Sequence, residues 1–389
     1  MRIRYMDYAC MGRPAPSTLS AVAEAIRKMS QWELPGTAQT LKLFEEVEQA
    51  RIQAAEMLGV KSKHIALVNN TTHGLGTLAS GLQLEKHHNV VIPDTEFMSS
   101  TLVWQQAQKI RGFDIRKVVT SNGQVGVKDF ESVMDRNTKV LVVSAVQEVS
   151  GYRTDLQGLY ELAESNQAFL MVDGIQELGV LPRNLIDTPV HAYCAGGHKW
   201  LGNPFGLGIM YVHPALAENC HPSFDGYLNV HEPKEGWDSY LQSRTRTAFD
   251  SFIPLEEARK YEPSGTPNWM GAVGLRAAVQ EIQEKGMDLI AKSTLQLTER
   301  LKSHLKTLGL QQYILGGSES IHCSGIVTFS LPGGLEQERR LLGKLEAEGI
   351  YVSLRSIGGI GGIRVSPYYC NTMEDVDKLA EMVEGEVKK

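Results

Sequence analysis

The chain has 389 residues, with 39 Lys and Arg against 45 Asp and Glu and a formal net charge of −6. This acidic balance argues against a nucleic-acid-binding protein, whose surface normally carries a basic excess. No apolar run approaches the roughly 18 residues that a membrane-spanning helix needs, and residues 1–14 lack the apolar stretch of a secretory signal.

The cysteines are odd in number and far apart: Cys10, Cys194, Cys220, Cys323 and Cys370. This spacing favours neither a disulfide framework nor a structural zinc site. We therefore expect a cytoplasmic protein in a reducing setting, with no metal and with no membrane or nucleic acid as partner.

Helical and apolar patterns alternate over much of the chain. A helix is predicted over 41–58, where apolar residues recur at helical spacing. Seven apolar runs follow, at 65–69, 89–93, 114–119, 139–146, 168–173, 191–197 and 206–212. Most are continuously apolar, which is typical of strands buried on both faces. With helical patterns at 99–111 and 156–166 between them, they predict an α/β fold with a mostly parallel sheet and helices on both faces.

The pattern changes after residue 212. Residues 214–268 are rich in Pro, Gly, aromatic and charged residues and predict a long irregular connection. Further on the chain predicts two long helices over 269–308, strands near 325–331, 351–355 and 363–367, and helices at 337–348 and after Thr372. We therefore predict a large domain over 15–255 and a smaller α+β domain over 256–389, to which residues 1–14 return.

Two sequence features lie at the ends of predicted strands. In NNTTHGLG (69–76), Thr71 and Thr72 begin a predicted helix whose N-terminus could hold a phosphate, although this segment taken alone favours an ordinary threonine N-cap. Asp173 closes the strand AFLMVD, and Gln176 follows three residues later. Its carboxylate could stabilise a buried cation such as a pyridinium nitrogen, or simply cap the next turn.

Two more features lie further along the chain. Lys199, in AGGHKWLGNPFGLG (195–208), follows a buried strand and could form a Schiff base with a carbonyl group, or could be an exposed lysine at a turn. The glycines of RSIGGIGGIRVSP (355–367) suggest a nucleotide loop, but a strand-like segment follows instead of a helix. A flexible loop between Arg355 and Arg364 fits better, and either arginine could form a bidentate ion pair with a carboxylate.

In this order, the features resemble the class V family of fold-type I pyridoxal-phosphate enzymes, in the branch of cystine lyases, isopenicillin N epimerase, kynureninase and cysteine desulfurases. The similar segments are YMDYA (5–9), VQEVSGYRTDL (146–156), VDGIQELG (172–179), GGHKW (196–200), EPSGTPN (262–268) and IRVSPYYCNTMEDVDKL (363–379). The resemblance implies pyridoxal 5'-phosphate as cofactor. It also implies a large domain with a mostly parallel seven-stranded sheet flanked by helices, plus a smaller α+β domain.

The resemblance also implies roles for the residues beside the cofactor. Lys199 would form the Schiff base and later move the Cα proton of the substrate. Asp173 would keep the pyridinium nitrogen protonated, and Gln176 would hydrogen-bond the ring oxygen. Phe97 would stack on the ring. His198, counted with the catalytic residues, would contact the phosphate.

Other implied roles concern the phosphate, the subunit interface and the substrate. Thr71 and Thr72 would hold the phosphate. Thr266 would reach the phosphate of a neighbouring subunit's cofactor, which implies a homodimer with active sites at the interface. Arg364 would pair with the substrate carboxylate, assisted by Arg355. Tyr8 would line the substrate side of the site.

Some positions depart from the desulfurase pattern. Gly196 stands where desulfurases have a phosphate-binding serine, and Glu148, or its neighbours Gln147 and Val149, stands where they have an asparagine. The loop before Arg364 carries no cysteine. Cys323, the nearest one, adjoins an apolar strand and is predicted to be buried. Persulfide formation by a desulfurase mechanism is therefore disfavoured.

The expected activity is a pyridoxal-phosphate-dependent lyase that cleaves the C–S bond of cystine, cysteine or a related S-substituted amino acid by β-elimination. An epimerase or an aminotransferase on the same scaffold is the alternative. An epimerase would need a second acid or base, for which Tyr8, Cys10 or Glu148 is a candidate. A catalytically silent cofactor-binding protein is disfavoured, because Lys199, Asp173 and Arg364 occur together.

Overall fold

A computed structural model describes residues 2–32, 36–263, 265–317 and 319–388. Its strands are β1 (Arg4–Tyr5), β2 (Ile65–Val68), β3 (Asn89–Pro93), β4 (Asp114–Val118), β5 (Thr138–Ser144), β6 (Phe169–Asp173), β7 (Ala192–Gly196), β8 (Gly208–Val212), β9 (Val327–Phe329), β10 (Ile350–Tyr351), β11 (Ser353–Ile357) and β12 (Ile360–Val365). Its helices are α1 (Pro16–Met29), α2 (Gly36–Met57), α3 (Thr71–Gly81), α4 (Met98–Arg111), α5 (Val127–Glu131), α6 (Leu156–Ser165), α7 (Pro214–Asn219), α8 (Trp237–Gln242), α9 (Trp269–Lys285), α10 (Met287–Thr307), α11 (Gly334–Ala347) and α12 (Met373–Val387). Within these ranges, no helix is both long enough and apolar enough to cross a membrane.

The central sheet has seven strands in the order β2-β8-β7-β6-β5-β3-β4. Strand β8 runs antiparallel to both of its neighbours, and the other pairs are parallel. The predicted α/β fold with a mostly parallel seven-stranded sheet is thus confirmed. Asp173 is paired in register with Ser144 on one side and Cys194 on the other. The carboxyl ends of β5, β6 and β7 therefore present their side chains at one edge.

Both faces of this sheet are buried, which explains why its strands are continuously apolar. Alternate residues of β5 enter different cores, since Leu141 and Val143 face the core that contains α2, α6 and α9, whereas Val140 and Val142 face the core with α3 and α4. Helix α9 also packs against α1 and α2. The domain boundaries at residues 14 and 255 stay predictions.

A second, smaller layer of structure forms from the C-terminal part of the chain. Strands β11, β12 and β9 make an antiparallel sheet, and β1 pairs with β10. Their apolar residues share a core with those of α10, α11 and α12. The N-terminal segment returns to this region, where the backbone of Asp7 forms a parallel β-bridge with that of Ser366.

The glycine-rich segment near residue 360 differs from the prediction. It is no flexible loop, because β11 and β12 form a hairpin that pairs up to Ile357 and Ile360. Gly358 and Gly359 have φ of 56° and 83°. A two-residue hairpin turn with positive φ at both positions strongly favours glycine, which explains the pattern without any phosphate.

The helix predicted over 41–58 begins earlier, since α2 spans Gly36–Met57. The long connection is confirmed as mostly irregular. Within residues 214–268, only α7, α8 and a short 3₁₀ turn at Ala258–Tyr261 are regular among the residues described.

Candidate active site

Lys199 lies in the turn that follows β7. The turn is held by backbone bonds from Gly202 N–H to the Lys199 carbonyl (2.9 Å) and from Gly12 N–H to the His198 carbonyl (2.9 Å). The Lys199 Nζ is 5.8 Å from the centre of the Phe97 ring, so these two residues face each other. Burial lowers the pKa of Lys199, although the charges of Asp173 and Glu148 oppose this effect. A lysine in this setting is more readily neutral, and therefore nucleophilic, than an exposed one.

Asp173 ends β6 and is buried. Its carboxylate accepts hydrogen bonds from Ser100 Oγ (3.2 Å) and from the backbone N–H of Ile175 (3.0 Å). Among the described residues, no lysine or arginine forms an ion pair with it. Burial raises the pKa of Asp173, although the hydrogen bonds from Ile175 and Ser100 and the charge of Lys199 partly oppose this effect. A buried carboxylate that forms no salt bridge is suited to receive a cationic group.

The N-terminus of α3 lies beside the end of β7. Asn70, and not a threonine, is the N-cap, since its side chain accepts the N–H of His73 at 2.8 Å. The Thr71 hydroxyl accepts the N–H of Gly196 (2.9 Å), which ties the helix start to the strand before Lys199. The Thr72 hydroxyl bonds Ser99 Oγ at 2.9 Å. A helix N-terminus with two threonine hydroxyls is a suitable anion site.

His198 is half-buried beside this helix start. Its ring stacks on Phe205, with 5.3 Å between the centroids. Burial, and to a smaller extent the charge of Lys199, lowers the pKa of His198. The imidazole is therefore neutral at neutral pH, and its ring N–H can donate a hydrogen bond to an anion.

Glu96 and Ser100 were missed from the sequence, because no motif distinguishes a buried acid or serine beside an aromatic residue. The Glu96 carboxylate accepts bonds from the N–H of Ser144 (2.7 Å), from Ser144 Oγ (2.5 Å) and from Gln147 Nε2 (2.7 Å). These bonds hold the turn that carries Phe97 against the end of β5. Burial raises the pKa of Glu96 to about 7, with a further contribution from Asp173.

The two predicted substrate arginines lie on one hairpin. Arg364 pairs in register with Ser353, and Arg355 with Gly362. Because residues 353 and 355 are two apart on one strand, their side chains and that of Arg364 share a face.

Arg364 is 1% exposed and surrounded by acceptors. Its Nε donates to Ser353 Oγ (3.2 Å), and one terminal nitrogen contacts Asp7 Oδ1 at 3.2 Å. The other contacts the Glu148 carbonyl (3.2 Å) and the Glu148 carboxylate (3.6 Å). Asp7 belongs to the N-terminal motif but was given no role from the sequence.

Arg355 is half-buried and has weaker partners. One terminal nitrogen donates to the Leu354 carbonyl at 3.0 Å, and the other lies 3.6 Å from Cys10 Sγ. The Cys10 thiol is exposed. Arg355 and Cys10 therefore belong to the open side of the same site.

Gln176 and Tyr8 have protein partners. The Gln176 oxygen accepts from Trp200 Nε1 (3.0 Å), and its nitrogen donates to the Ala9 carbonyl (3.0 Å). Tyr8 is buried against Trp200 and Tyr368, and its hydroxyl contacts Cys370 Sγ at 3.0 Å. Among the described residues, no contact joins Tyr8 to Lys199 or Arg364, so its substrate role stays a prediction.

Thr266 lines a cavity of about 290 Å³ together with Asn69 and Leu207 of its own chain. Its predicted contact with a neighbouring subunit's cofactor stays a prediction. The prediction for Cys323 was wrong, because this residue is half-exposed, with Sγ 3.2 Å from Lys302 Nζ. No group of three or more His, Cys, Asp or Glu suited to a metal ion occurs in the part of the chain that the structure describes.

The residues at this edge fit pyridoxal 5'-phosphate. Lys199 supplies a buried amine, and Phe97 faces it with an aromatic ring. Asp173 supplies a buried carboxylate that forms no salt bridge among the described residues and could pair with a ring cation, and α3 supplies a helix N-terminus for a phosphate. An amine, a stacking ring, a carboxylate and a phosphate site are the four kinds of contact that suit such a cofactor.

Known proteins resemble the chain over nearly its whole length. A probable cysteine desulfurase of Methanothermobacter thermautotrophicus is 24% identical over 398 residues, covering 95% of this chain and 93% of the relative. Isopenicillin N epimerase of Streptomyces clavuligerus is 24% identical over 341 residues, covering 87% and 83%.

Solved structures share the fold. A cystine C–S lyase, C-DES, in complex with its product cysteine persulfide has a TM-score of 0.84, with 21% identity and coverage of 98% of this chain and 97% of that one. An apo cysteine desulfurase of Thermococcus onnurineus has a TM-score of 0.85, with 21% identity and coverage of 99% and 95%.

The model of the family described as Aminotransferase class-V matches residues 5–379. A solved C-DES variant with glycine covalently linked to its pyridoxal-phosphate cofactor has a TM-score of 0.86, with 21% identity and coverage of 98% of this chain and 96% of that one. The family match, this structure and the geometry around Lys199 agree on pyridoxal 5'-phosphate as the cofactor. The chain belongs to the class V aminotransferase family.

Proposed function

We propose that the protein is a lyase that cleaves the C–S bond of cystine, cysteine or a related S-substituted amino acid by β-elimination. The observation that carries a chemistry at the amino-acid Cα is the arrangement of Lys199, Phe97 and the unpaired, buried Asp173 at one sheet edge. The name of a structural neighbour, a cystine C–S lyase, supports the choice of sulfur substrates.

Pyridoxal phosphate, when bound, supplies an aldehyde carbon that an amine can attack and a ring that accepts the electron pair released at Cα. Asp173 would pair with the ring cation and keep this electron sink strong. Phe97 would hold the ring in position by stacking. Thr71, Thr72 and His198 would hold the phosphate, and the second N–H of the Gln176 amide remains available to the ring oxygen.

Lys199 would act as the base. In its neutral form, Nζ takes the proton from the substrate Cα, and burial favours that form. The Cα–H and Cβ–S bonds would break as a Cα=Cβ bond forms, and the sulfur would leave Cβ as a thiolate that takes up a proton, which for cystine is cysteine persulfide. Water would then hydrolyse the three-carbon fragment to pyruvate and ammonia. Arg355 and Arg364, on one face of the hairpin, would provide the guanidinium groups that bind substrate carboxylate.

The β11–β12 hairpin favours a lyase over a desulfurase. Its turn consists of Gly358 and Gly359, and no cysteine lies between Arg355 and Arg364. The hairpin itself therefore supplies no nucleophilic thiol that could accept sulfur, whereas elimination needs none. We also propose a homodimer, in which Thr266 reaches the neighbouring subunit's cofactor.

An epimerase is the second candidate, and one observation favours it. The Glu148 carboxylate lies 3.6 Å from Arg364, and its charge opposes the lowering of the pKa of Lys199, so a second acid or base lies near the lysine. The relative named isopenicillin N epimerase is consistent with this alternative. An aminotransferase would use the same lysine.

The test is pyruvate release from L-cystine by the cofactor-loaded protein, with Lys199→Ala as control. We expect release that depends on Lys199, and loss of the visible absorbance of the lysine-bound cofactor in the variant. Absence of pyruvate with a normal wild-type spectrum would reject the lyase. Racemisation or keto-acid exchange, measured with a panel of amino acids, would then identify an epimerase or an aminotransferase.

A further inference from the structure

Lys302 and Cys323 meet in the smaller layer of structure that the C-terminal part of the chain forms. Lys302 belongs to α10, and Cys323 follows a short 3₁₀ turn, Ser320–His322, that precedes β9. The Lys302 Nζ donates a hydrogen bond to the Cys323 Sγ at 3.2 Å, although the two residues are 21 positions apart in the chain. Two nucleophilic groups, an amine and a thiol, are thus in direct contact.

The surroundings of Lys302 leave its amine to this one sulfur. The residue is only 8% exposed. Among the described residues, the Cys323 sulfur is the only hydrogen-bond partner of the Lys302 Nζ, and no carboxylate forms a salt bridge with this group. A buried lysine is normally compensated by a carboxylate or by several strong acceptors, and sulfur is a weak acceptor. The contact therefore compensates the amine poorly, and its close approach to sulfur favours a chemical role.

Cys323 is accessible from solvent and has no thiol partner. It is half-exposed, and its Sγ also contacts the Glu319 carbonyl at 3.5 Å. Each of the five cysteines, all of which the structure describes, is free. A small oxidant can therefore reach the Cys323 sulfur, and the nucleophile in contact with the oxidised sulfur is the amine of Lys302 and not a second thiol.

We propose that Cys323 and Lys302 form a covalent cross-link when the protein meets a hydroperoxide. In the first step, the Cys323 thiol takes one oxygen from the hydroperoxide, whose O–O bond breaks. The sulfur is oxidised by two electrons to a sulfenic acid, and with hydrogen peroxide the other oxygen leaves as water. In the second step, the Lys302 Nζ attacks Sγ. An S–N bond forms, the S–O bond breaks, and the hydroxyl leaves with a proton from Nζ as a second water.

The cross-link would fasten α10 to a segment that leads toward the central sheet. His322, directly before Cys323, contacts Arg153 twice. The Arg153 N–H donates to the His322 carbonyl at 2.9 Å, and the His322 Nδ1 lies 2.8 Å from the Arg153 carbonyl. Arg153 in turn forms a β-bridge with Val146, just beyond β5. The cross-link itself involves none of the residues assigned to the cofactor or the substrate, so it is independent of the proposed function.

The test is peptide mapping by mass spectrometry of the cofactor-loaded protein after treatment with hydrogen peroxide. In the wild type, trypsin should no longer cleave after Lys302 in the cross-linked product. The mass of this product should be lower by two hydrogen atoms than the sum of the uncleaved Lys302 peptide and the Cys323 peptide. Cys323→Ser and Lys302→Arg should both lose this product, the second because a guanidinium stays charged and does not attack sulfur.

Lys306→Arg is the matched control. Lys306 lies in the same helix as Lys302 but is exposed, and its Nζ is 3.8 Å from Glu299. This variant should keep the cross-linked product at the wild-type level. Melting temperatures taken before oxidation identify any variant that fails to fold.

Reduction with dithiothreitol supplies an independent measurement. A thiolate that attacks Sγ releases the Lys302 amine and leaves a mixed disulfide, which a second thiol resolves to free Cys323. The cross-linked product should therefore disappear and the free Cys323 peptide return. Sulfinic and sulfonic acids would survive this treatment.

Four results would overturn the inference: no cross-linked product in the oxidised wild type, its persistence in Lys302→Arg, its loss in Lys306→Arg, or resistance of the product to dithiothreitol. The pyruvate assay is separate from these measurements. A protein that forms the cross-link but releases no pyruvate would refute the lyase and retain the modification site.

Discussion

Two buried carboxylates one turn apart, Asp173 and Glu177, have opposite surroundings. Glu177 is fully buried and accepts two bonds from Arg183, at 2.6 and 2.8 Å, with Arg153 at 3.7 Å. Among the described residues, the hydrogen-bond partners of Asp173 are a hydroxyl and a backbone N–H. Glu177 thus belongs to a completed ion cluster, whereas Asp173 forms no salt bridge in the described part of the chain, and only the charge of Lys199 partly offsets its burial.

The difference shows how a buried charge can be assigned a role. Removing an acid from water is costly, and a folded protein normally offsets this cost with a cation or with several hydrogen bonds. Glu177 is compensated by the protein itself and therefore stabilises the fold. Asp173 has no such salt bridge among the described residues, so its charge would be fully compensated when a cationic group binds, which matches the ring cation of pyridoxal phosphate.

The largest expected effect on stability comes from breaking the ion cluster of Glu177. Glu177→Gln leaves Arg183 buried without its charge partner, which should lower the free energy of unfolding by about 3–5 kcal/mol. Urea denaturation of the cofactor-free protein measures this change. Glu161→Gln, at an exposed position of α6, should stay within about 0.5 kcal/mol of the wild type. A loss of less than about 1 kcal/mol in Glu177→Gln would contradict the comparison.

Glu96 extends the comparison to a buried acid with hydrogen bonds but no cation. The folded protein holds its proton up to a pKa of about 7, whereas the usual value is 4.5. Between these values the folded state binds more protons than the unfolded chain, so stability falls as pH rises. The wild type should therefore lose about 3 kcal/mol relative to Glu96→Gln across this window.

Urea denaturation of both cofactor-free proteins at several pH values measures this difference. Asp94→Asn, at an exposed acid two residues before Glu96, should keep the pH dependence of the wild type. A constant difference between wild type and Glu96→Gln from pH 4.5 to pH 7 would show that Glu96 does not titrate there.

Asp173→Asn tests the role of the buried carboxylate that has no salt bridge among the described residues. Activity of the cofactor-loaded protein should fall about a hundredfold or more, because the ring cation loses its preorganised anion. The cofactor-free variant should melt no lower than the wild type at neutral pH, since burial of the charged form is unfavourable. Steady-state rates and thermal melts measure the two effects. A lower melting temperature would mean that Asp173 is compensated within the protein after all.

The smallest effect concerns the hydroxyl that positions Asp173. Ser100→Ala removes one hydrogen bond of 3.2 Å and should weaken cofactor binding about fivefold, which corresponds to about 1 kcal/mol. Fluorescence titration with pyridoxal phosphate measures the Kd. Thr101→Ala is the matched control, because that hydroxyl bonds only the backbone of its own helix. Equal Kd values for the two variants would remove Ser100 from the site.

The sequence alone predicted the sheet and the position of Lys199 and Asp173 at its edge. Both predictions rest on local patterns, since a strand buried on two faces is continuously apolar and its last residue is found at the sheet edge. The glycine pattern near residue 360 was harder to interpret. Phosphate loops and tight hairpin turns both require glycine, and only the pairing of β11 with β12 distinguishes them.

Only the tertiary structure decided which polar groups meet. Glu148 and Asp7 surround Arg364, and Trp200 and Ala9 hold Gln176, although these partners are far apart in the chain. A sequence shows that an arginine is charged, but the carboxylates that neutralise this charge depend on which loops fold against the arginine. The residue types therefore indicated the cofactor and its chemistry. That Asp173 forms no salt bridge among the described residues, whereas Arg364 is surrounded by acceptors, became visible only once the strands and the N-terminal segment were assembled.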